Sequence, residues 1–323
     1  SRQLAAYSIN HLVLVDQAES ALYDLQQELH QKGNSSFSAL VADVRDKKRM
    51  QEIFEQYKPH KVFHAAAYKH VPLMEDSPYE AVKINVLGTK TIADLAVKNK
   101  VERFVMVSTD KAVNPTNVMG ATKRVAEMYI SCLSKLQKKT KFTTTRFGNV
   151  LGSNGSVIPL FKRQIENGGP LTVTDQNITR YFLTIPEAGR LVVEAGAMGD
   201  GGDIYIFDMG KSVKIFDMAK RMISLSGLKY PEDIDIKITG LRPGEKLYEE
   251  LLADGENTTK TYHDKIMIAK PQKVNTDFVL SLIEQLSSKK NQLTSSEIVK
   301  TIKEIVPEFK SKNSKFEKLD KVS

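Results

Sequence analysis

VSTDKAVNPTNVMGATKR, residues 107–124, joins the end of an apolar run to the start of a predicted helix. The run is RFVMVS, residues 103–108, which is typical of a buried strand in a parallel sheet. Three polar residues that can carry chemistry follow it directly: Thr109, Asp110 and Lys111. Met119 and Lys123 stand four residues apart, so they share one face of the helix. The stretch predicts a strand-to-helix connection that gathers reactive side chains.

Apolar runs and amphipathic stretches alternate along most of the chain. Strands are predicted at 11–16, 37–42, 61–67, 103–108, 141–147, 171–173, 203–208 and 234–238. Helices are predicted at 1–8, 18–29, 47–56, 78–99, 119–136, 215–225 and, behind a capping box of Thr294 and Glu297, up to Pro307. Strands that alternate with helices in this way are joined by right-handed crossovers and lie parallel. We therefore expect an α/β fold with a Rossmann-like doubly wound parallel sheet and a smaller second lobe.

The length of 323 residues allows one main domain and a smaller lobe. We expect an NAD-binding domain at 1–150, to which a segment at about 181–210 returns. Glycine-rich loops after Gly148 predict a substrate-binding lobe at 151–275, because such insertions usually carry specificity. Residues 276–323 would supply C-terminal helices and a basic tail.

The net charge of +8 would suit a polyanion, but much of the excess lysine lies between Lys310 and Lys321. No aromatic stacking pattern accompanies these lysines, so a solvated, disordered tail is favoured over a nucleic-acid arm. A tail lying near anionic lipid stays open as an alternative. We expect no nucleic-acid partner.

The cysteine and histidine usage excludes several classes of site. The single cysteine, Cys132, falls between apolar helix positions and is interpreted as a buried core residue. The six histidines show no metal-ligand spacing, so no metal site is expected. No apolar stretch approaches the ~20 residues of a membrane-spanning helix and no signal peptide is seen, which predicts a soluble, cytoplasmic chain.

The front of the chain lacks the glycine-rich turn that dinucleotide-binding folds place between their first strand and first helix. Residues 1–10, SRQLAAYSIN, are interpreted as the second half of the helix that would follow such a turn. The missing first strand would be central in the sheet. Either the remaining strands close up, a neighbouring chain donates a strand, or earlier residues precede this sequence; the last is favoured. That the chain is no nucleotide fold at all is the remaining alternative.

Several residues are candidates for holding a dinucleotide. Asp16 ends the second strand of such a fold, where an acid can accept hydrogen bonds from ribose hydroxyls and repel a 2′-phosphate. This favours NAD over NADP, with a plain surface acid as the alternative. Asp43 and Val44 would lie beside the adenine, although Asp43 could equally cap a helix. The last candidates are His64, Ala65 and Ala66. The small alanine side chains in this stretch would let the backbone approach a cofactor closely.

Met119 and Lys123 occupy positions where dehydrogenases of this architecture carry tyrosine and lysine. With Thr109-Asp110-Lys111 and Asn114-Pro115, they make the segment resemble the extended short-chain dehydrogenase/reductases. In particular it resembles nucleotide-sugar 4,6-dehydratases of the polysaccharide-biosynthesis branch, which act on UDP-N-acetylglucosamine. The resemblance runs from Leu12 to about Leu252 and includes four ordered blocks: NVLGTKTIADLA, RFGNVLGSNGSVIPLF, TRYFLTIPEA and GLRPGEKLYEELL.

The resemblance implies oxidation at sugar C4, loss of the C5 proton, departure of water from C6 and return of hydride to C6. The resemblance implies that Thr109 forms a hydrogen bond with the C4 hydroxyl and that Lys123 binds the nicotinamide ribose. It implies that Asp110 acts as the acid at the C6 hydroxyl. Lys111 would take the C5 proton, which needs a depressed amine pKa. The positive charges of nicotinamide and Lys123 would lower the pKa of Lys111, whereas the Asp110 carboxylate would raise it. The sequence does not decide which effect is larger.

Met119 departs from the usual tyrosine, because a thioether has no ionisable proton. Members of the membrane-anchored branch are similar in carrying methionine here. We therefore expect Asp110, Lys123 or a water to accept the C4 hydroxyl proton, with an inactive enzyme as the competing interpretation.

The resemblance also implies residues that contact a UDP-sugar. The stronger candidates are Asn149, Arg180, Arg242 and Glu245, and the weaker ones are Lys69, Lys162 and the loop 152–155. Arginine suits a diphosphate through its bidentate fork, whereas surface ion pairs are the alternative for both arginines.

The rival functions are a UDP-sugar 4-epimerase and a catalytically silent nucleotide-sugar-binding domain. An epimerase would not need the acid and amine of Asp110 and Lys111. A homo-oligomer is expected, and a membrane contact only through a region outside this chain, since family members of this branch commonly carry an N-terminal membrane-spanning region.

Overall fold

The computed structural model describes residues 1–252, 258–269, 274–289 and 292–320. Its strands are β1 (Leu12–Asp16), β2 (Phe37–Val41), β3 (Lys61–His64), β4 (Arg103–Val107), β5 (Lys141–Arg146), β6 (Asn149–Val150), β7 (Leu171–Val173), β8 (Thr179–Arg180), β9 (Phe182–Leu183), β10 (Ile204–Phe207), β11 (Val213–Lys214), β12 (Ile236–Ile238), β13 (Thr258–Lys260) and β14 (Ile266–Ala269). Its α-helices are α1 (Glu19–Gln31), α2 (Lys47–Tyr57), α3 (Val71–Asp76), α4 (Pro78–Ala81), α5 (Thr89–Lys98), α6 (Val118–Leu136), α7 (Val157–Glu166), α8 (Ile185–Ala197), α9 (Ile215–Leu225), α10 (Thr276–Ser288) and α11 (Ser295–Ile305).

The main sheet has six strands in the order β13-β14-β10-β5-β4-β3. The run from β3 to β10 is parallel, with Val105 of β4 opposite Thr143 of β5, and β14 and β13 close the other edge antiparallel. Parallel pairing requires crossovers, and helices supply them on both faces. The Rossmann-like α/β prediction is confirmed.

The strands β1 and β2 form a separate parallel pair. Together with α1 they enclose a small apolar cluster around Leu14, Leu22 and Leu29. No hydrogen-bonded ladder joins β1 to β3 among the described residues, so the alternative in which the remaining strands close up is wrong.

The largest core lies on one face of the main sheet. Phe104 and Phe142 of neighbouring strands are both fully buried there, beneath the helices α5, α6, α10 and α11. Cys132 of α6 belongs to this core and is 0% exposed, as predicted. The helix α8 covers the other face, where Phe147 and Phe207 stack with ring centroids 5.3 Å apart.

The second lobe has its own core of nine buried side chains from α7, α9, β7, β12 and the segments beside them: Phe161, Leu171, Val173, Ile178, Ile215, Ala219, Ile223, Ile234 and Ile236. The strands β7 and β12 pair in parallel within it. The predicted lobe boundaries of 151–275 need correction, because β13 and β14 return to the main sheet. The helices α10 and α11, from the predicted third region, pack on the main core.

The amphipathic stretch predicted as one helix at 78–99 is helical but not uniform. A π-helical turn, Val82–Gly88, separates α4 from α5. The helix predicted at 1–8 is only a 3₁₀ turn, Leu4–Ala6. By contrast α9 covers 215–225 as predicted, and the capping box of Thr294 and Glu297 begins α11.

Residues 310–320, here called the C-terminal strap, were expected to be a disordered tail and are instead packed. The Lys310 and Lys312 amides donate to the Pro115 and Thr116 carbonyls, both at 3.2 Å. Phe316 is 2% exposed within the main core. The disorder expectation is therefore wrong for 310–320, while Lys321 lies outside the described residues.

None of the helices that the structure describes has both the length and the apolar character needed to cross a membrane.

Candidate active site

The predicted reactive residues lie at the carboxyl end of β4, where the chain turns toward α6. Thr109 begins a 3₁₀ turn, Asp110–Ala112, and its hydroxyl donates to Asp110 Oδ1 at 3.0 Å. The Asp110 amide donates to the Phe147 carbonyl at 3.1 Å, which ties the turn to the end of β5. Polar groups that follow neighbouring parallel strands meet at one edge of the sheet, as in other doubly wound folds.

Two glycines leave room for this turn. A Cβ at Gly120 would lie 2.0 Å from the Lys111 carbonyl oxygen, so only glycine lets the first turn of α6 approach so closely. A Cβ at Gly148 would lie 2.9 Å from Asp110 Oδ2. The Asp110 side chain is fully buried, and Oδ2 has no hydrogen-bond partner among the described residues.

Lys111 is surrounded by oxygen atoms. Its Nζ lies 3.0 Å from Asp110 Oδ1, 3.3 Å from Asn149 Oδ1 and 3.5 Å from Glu249 Oε1. Burial lowers the pKa of Lys111, but the Asp110 and Glu249 carboxylates outweigh it, so that pKa lies above its ordinary value. In this arrangement the two carboxylates outweigh burial and favour the ammonium form of Lys111.

Lys123 and Met119 lie on α6 as the spacing predicts. Lys123 is 4% exposed and its Nζ donates to the Val107 carbonyl at 2.7 Å. Burial lowers the pKa of Lys123 to about 8, although the Glu127 carboxylate opposes this shift. Met119 is 3% exposed and belongs to the main core. The pair combines an inert thioether with an amine that titrates near neutrality.

A second set of charges comes from the segment 242–250. Arg180 donates to the Thr179 carbonyl at 2.7 Å and the Lys246 carbonyl at 2.9 Å, and its Nε lies 3.8 Å from Glu249 Oε1. Arg242 is far more open, with 58% of its side chain exposed and an ion pair to Glu245 at 3.0 Å. Burial raises the pKa of Glu245, but the Arg242 hydrogen bond and charge bring it below its ordinary value.

The dinucleotide candidates are divided between exposed and buried positions. Asp16 is exposed at the end of β1, where one carboxylate oxygen accepts from the Ala18 amide at 2.9 Å. Asp43 pairs with Arg45 at 2.5 Å and does not cap α2; Asp46 does, by accepting from the Arg49 amide. The N-cap alternative for Asp43 is therefore wrong.

The remaining dinucleotide candidates follow β2 and β3. Val44 packs against the π-helical turn, since a Cβ at Gly88 would lie 2.8 Å from Val44 Cγ2. Ala65 and Ala66 are exposed after β3, which fits the close approach expected of them. The His64 side chain is buried against Thr89 at 2.9 Å, and burial and the Lys123 charge lower its pKa to about 3. His64 is thus a neutral core residue.

The weaker substrate candidates behave differently from one another. Lys69 Nζ lies 3.3 Å from Ser153 Oγ, so it meets the 152–155 loop. Lys162 is 75% exposed on α7 and pairs with Glu166 at 4.0 Å; no contact among the described residues joins it to the charged cluster.

Two groups of functional interest escaped the sequence-based interpretation. Glu249 is one, although it lies inside the quoted block GLRPGEKLYEELL, where nothing distinguishes it from its acidic neighbours. The other is a buried network beneath the turn, in which Glu127 accepts from Ser108 at 2.6 Å and pairs with Arg146 at 2.8 Å. Glu127 lies four residues after Lys123 on the same helix face, which is the one signal that could have found it.

No group of three metal-ligating side chains occurs in the parts of the chain that the structure describes.

Comparison with known proteins identifies the family. The family described as "Polysaccharide biosynthesis protein" matches residues 1–271. The chain belongs to this family. It is an extended short-chain dehydrogenase/reductase of the nucleotide-sugar dehydratase and epimerase type, as the resemblance implied.

Named relatives of this family member come from several bacteria. The capsular polysaccharide biosynthesis protein CapD of Staphylococcus aureus is 52% identical over 295 residues, covering 90% of this chain and 49% of CapD. A UDP-glucose 4-epimerase of Rickettsia canadensis is 39% identical over 68% of this chain and 63% of its own length. A UDP-N-acetylglucosamine 4,6-dehydratase (inverting) of Campylobacter jejuni is 36% identical over 67% and 63%. The chain spans about half the length of CapD and of the Bacillus subtilis relative EpsC.

Solved structures share the fold of this family member. Pen from Bacillus thuringiensis has a TM-score of 0.76 at 31% identity and covers 90% of this chain and 93% of its own. DesIV from Streptomyces venezuelae, a dTDP-glucose 4,6-dehydratase solved with NAD bound, has a TM-score of 0.67 at 20% identity over 77% of this chain and 83% of its own. The second similarity concerns the fold alone.

Proposed function

We propose that this chain is an NAD-dependent nucleotide-sugar 4,6-dehydratase that acts on UDP-N-acetylglucosamine in surface polysaccharide biosynthesis. The observation that carries the proposal is the ion pair of Asp110 and Lys111, whose Oδ1 and Nζ lie 3.0 Å apart at the carboxyl end of β4. Elimination of water across C5 and C6 needs one group that removes a proton and one that gives a proton. This buried pair can supply both.

The residues that would hold a dinucleotide follow the carboxyl ends of β1 and β3 and adjoin the turn after β4, and their chemistry fits it. Asp16 would accept from a ribose hydroxyl, Ala65 and Ala66 are exposed, and Lys123 is buried beside the turn. An acid at the position of Asp16 favours NAD, with NADP as the alternative. When bound, NAD⁺ supplies the hydride acceptor for C4 and the hydride donor for C6.

The proton balance follows from the Asp110 and Lys111 pair. Transfer of one proton from Lys111 Nζ to Asp110 across the 3.0 Å contact turns the ion pair into a neutral amine and a carboxylic acid. The amine can then take the C5 proton, while Asp110 protonates the C6 hydroxyl as it leaves as water. After this step Lys111 is an ammonium and Asp110 a carboxylate. When hydride returns to C6, Lys111 Nζ gives a proton back to C5. The proton taken from the C4 hydroxyl then restores the Lys111 ammonium through water, so the protons balance over the cycle.

The C4 hydroxyl needs a proton acceptor, because Met119 offers none. Burial lowers the pKa of Lys123 to about 8, so near neutral pH a fraction of the enzyme molecules carries Lys123 as a neutral amine. We assign the acceptor role to Lys123, directly or through a water, with Thr109 holding the hydroxyl.

The sugar nucleotide needs cations for its diphosphate. Arg242 has an exposed guanidinium, whereas the Arg180 guanidinium already donates to backbone carbonyls. We therefore assign the diphosphate chiefly to Arg242, which Glu245 orients, and a supporting role to Arg180. Asn149 is placed beside Lys111 and would face the sugar.

Product analysis tests the proposal directly. The protein incubated with NAD⁺ and UDP-N-acetylglucosamine should yield a product lighter by one water in the mass spectrum. Asp110→Asn and Lys111→Met should each slow this reaction by about 100-fold or more, the usual contribution of an acid or base. Lys98→Met, which removes an exposed lysine at the end of α5 that pairs with Glu55, should leave it unchanged.

The rival functions predict other products. A product of unchanged mass with inverted C4 would show the 4-epimerase named among the relatives. Binding of UDP-N-acetylglucosamine with no product would show the silent binding domain. Either result would overturn the dehydratase proposal.

A further inference from the structure

Glu249 brings a third carboxylate to the proposed reaction centre from a distant part of the chain. It follows β12 in the segment 242–250, whereas Asp110 and Lys111 follow β4. Its side chain is only 3% exposed, so water does not solvate the carboxylate. A buried carboxylate is costly unless cations compensate it.

Two cations meet the same oxygen of Glu249. Oε1 lies 3.5 Å from Lys111 Nζ and 3.8 Å from Arg180 Nε. The other oxygen, Oε2, is buried and has no hydrogen-bond partner among the described residues. A buried carboxylate whose role is to stabilise the fold would usually have hydrogen-bond partners at both oxygens. The geometry therefore connects Glu249 to the two cations rather than to the surrounding fold.

Resting on the proposed function, we propose that Glu249 is a positioning residue: it holds Lys111 against Asp110 and links this pair to Arg180. The Lys111 Nζ then lies between two carboxylates and the Asn149 amide oxygen, which fixes its direction. Such fixing matters because proton transfer requires donor and acceptor within hydrogen-bond reach.

The charged groups that face Lys111 are Asp110, Glu249 and Arg180. The two carboxylates favour the ammonium form of Lys111, whereas burial and the Arg180 charge oppose it. Replacing Glu249 by glutamine removes one favourable anion but keeps the shape of the side chain. The pKa of Lys111 should then fall, because burial and the Arg180 charge still lower it while Asp110 is the carboxylate that still raises it.

The test measures Lys111 itself, independently of catalysis. Wild type and Glu249→Gln are treated with acetic anhydride over a range of pH, and acetylation of Lys111 is followed by peptide mass spectrometry. Only the neutral amine reacts, so a pKa lower by about one unit makes labelling of Lys111 about tenfold faster at pH 8. Glu249→Asp, which keeps the charge, should label at a rate closer to wild type.

The matched control is Glu250→Gln. Glu250 is the next residue, is 49% exposed and pairs with Lys246 at 2.9 Å rather than with Lys111. Its variant should label Lys111 at the wild-type rate. Labelling of Lys98, an exposed lysine, serves as an internal standard in every sample.

The outcomes separate this inference from the proposed function. Equal Lys111 labelling in folded wild type and Glu249→Gln would overturn the positioning role, whatever the enzyme makes. If Glu249→Gln does not fold, the same comparison is made with Glu249→Asp, whose shorter carboxylate should speed labelling by a smaller factor. A dehydrating enzyme should also show the alkaline limb of its kcat profile at a lower pH in Glu249→Gln, because the Asp110 and Lys111 pair must keep one proton to act. Altered labelling in a protein that yields no dehydrated product would sink the dehydratase proposal and leave the link between Glu249 and Lys111 standing.

Discussion

Lys123 is buried, and burial destabilises its charged ammonium form. Its Nζ donates to the Val107 carbonyl, a neutral group, and the desolvation of the ammonium form lowers its pKa to about 8. In the unfolded chain the same amine keeps its ordinary value of 10.5. The fold therefore holds this lysine in a state that favours proton release, which suits an acceptor for a sugar hydroxyl.

This shift predicts how stability depends on pH. Between about pH 8 and 10.5 the unfolded chain binds the Lys123 proton and the folded chain does not, so stability rises with pH in that window. Across the whole window the gain is about 3 kcal/mol. Lys123→Met should lack it. Urea unfolding at pH 7.5 and 9.5 should show the wild type gaining stability relative to the variant, and a constant difference would contradict the buried-amine assignment.

Single residues were predictable where sequence neighbours and spatial neighbours coincide. Thr109, Asp110 and Lys111 adjoin one another, and Met119 and Lys123 follow from helical spacing. Glu249 could not be found, because its partners belong to remote segments and only tertiary packing brings them together. The buried side chain of His64 was equally hidden, since strand alternation does not reveal which face meets a helix.

The helix α6 connects the site to the strands below it through charges. Glu127 pairs with both Arg124 and Arg146, and Ser108 donates to it, directly before the reactive turn. Burial raises the pKa of Glu127, but the two arginines and Ser108 bring it to about 2. The network thus fixes the end of β4 to α6 and β5 by charge-assisted hydrogen bonds.

Breaking this network should be costly. Glu127→Gln would leave the Arg146 guanidinium, which is 0% exposed, without its full compensating charge. Removal of one partner of a buried pair costs about 3–5 kcal/mol. Urea unfolding at neutral pH measures the loss. The control, Glu55→Gln, removes an exposed pair with Lys98 at 3.6 Å and should cost under about 0.5 kcal/mol; equal losses in both variants would refute the argument.

Elements with strong local signals were predicted well. The bounds of α9 and the capping box of α11 follow from residues within each helix. The π-helical turn, Val82–Gly88, was not predicted, because its residues continue the helical pattern of apolar positions on either side; Val44 packs against it at Gly88. Likewise β14 carries too few residues for its pattern to identify its place in the main sheet.

At the scale of the molecule, the parallel sheet and the smaller second lobe were predicted from the alternation of strands and helices, whereas the order of the strands was not. The packing of the C-terminal strap was not predicted, because its many lysines indicated a solvated tail, whereas one buried aromatic ring and a few hydrogen bonds hold it. Phe316 lies in the main core, and the Ser314 hydroxyl donates to Glu75, whose other oxygen accepts from the Val118 amide at 2.7 Å. Composition alone does not show that spaced apolar residues can dock a basic segment.

The strap predicts a contrast between two neighbouring residues. Phe316→Ala should destabilise the protein by about 3–5 kcal/mol, the usual loss for a buried phenylalanine. Lys315→Ala should cost little, since that lysine is 58% exposed and its partner Asp76 is 80% exposed. Thermal unfolding distinguishes them. Equal melting temperatures for both variants would contradict the packing of the strap and support the disordered tail that its composition predicted.

The strap also has a bearing on the order in which the chain is synthesised. It leaves the ribosome after both segments that it joins, the loop at Pro115 and Thr116 and the turn at Gly244, whose amide donates to the Lys312 carbonyl at 2.7 Å. Until then those backbone groups have only water as partner. The entrance to α6 can therefore reach its final form only after the strap has been synthesised, and nascent chains that stall before the strap would hold the turn after β4 less firmly.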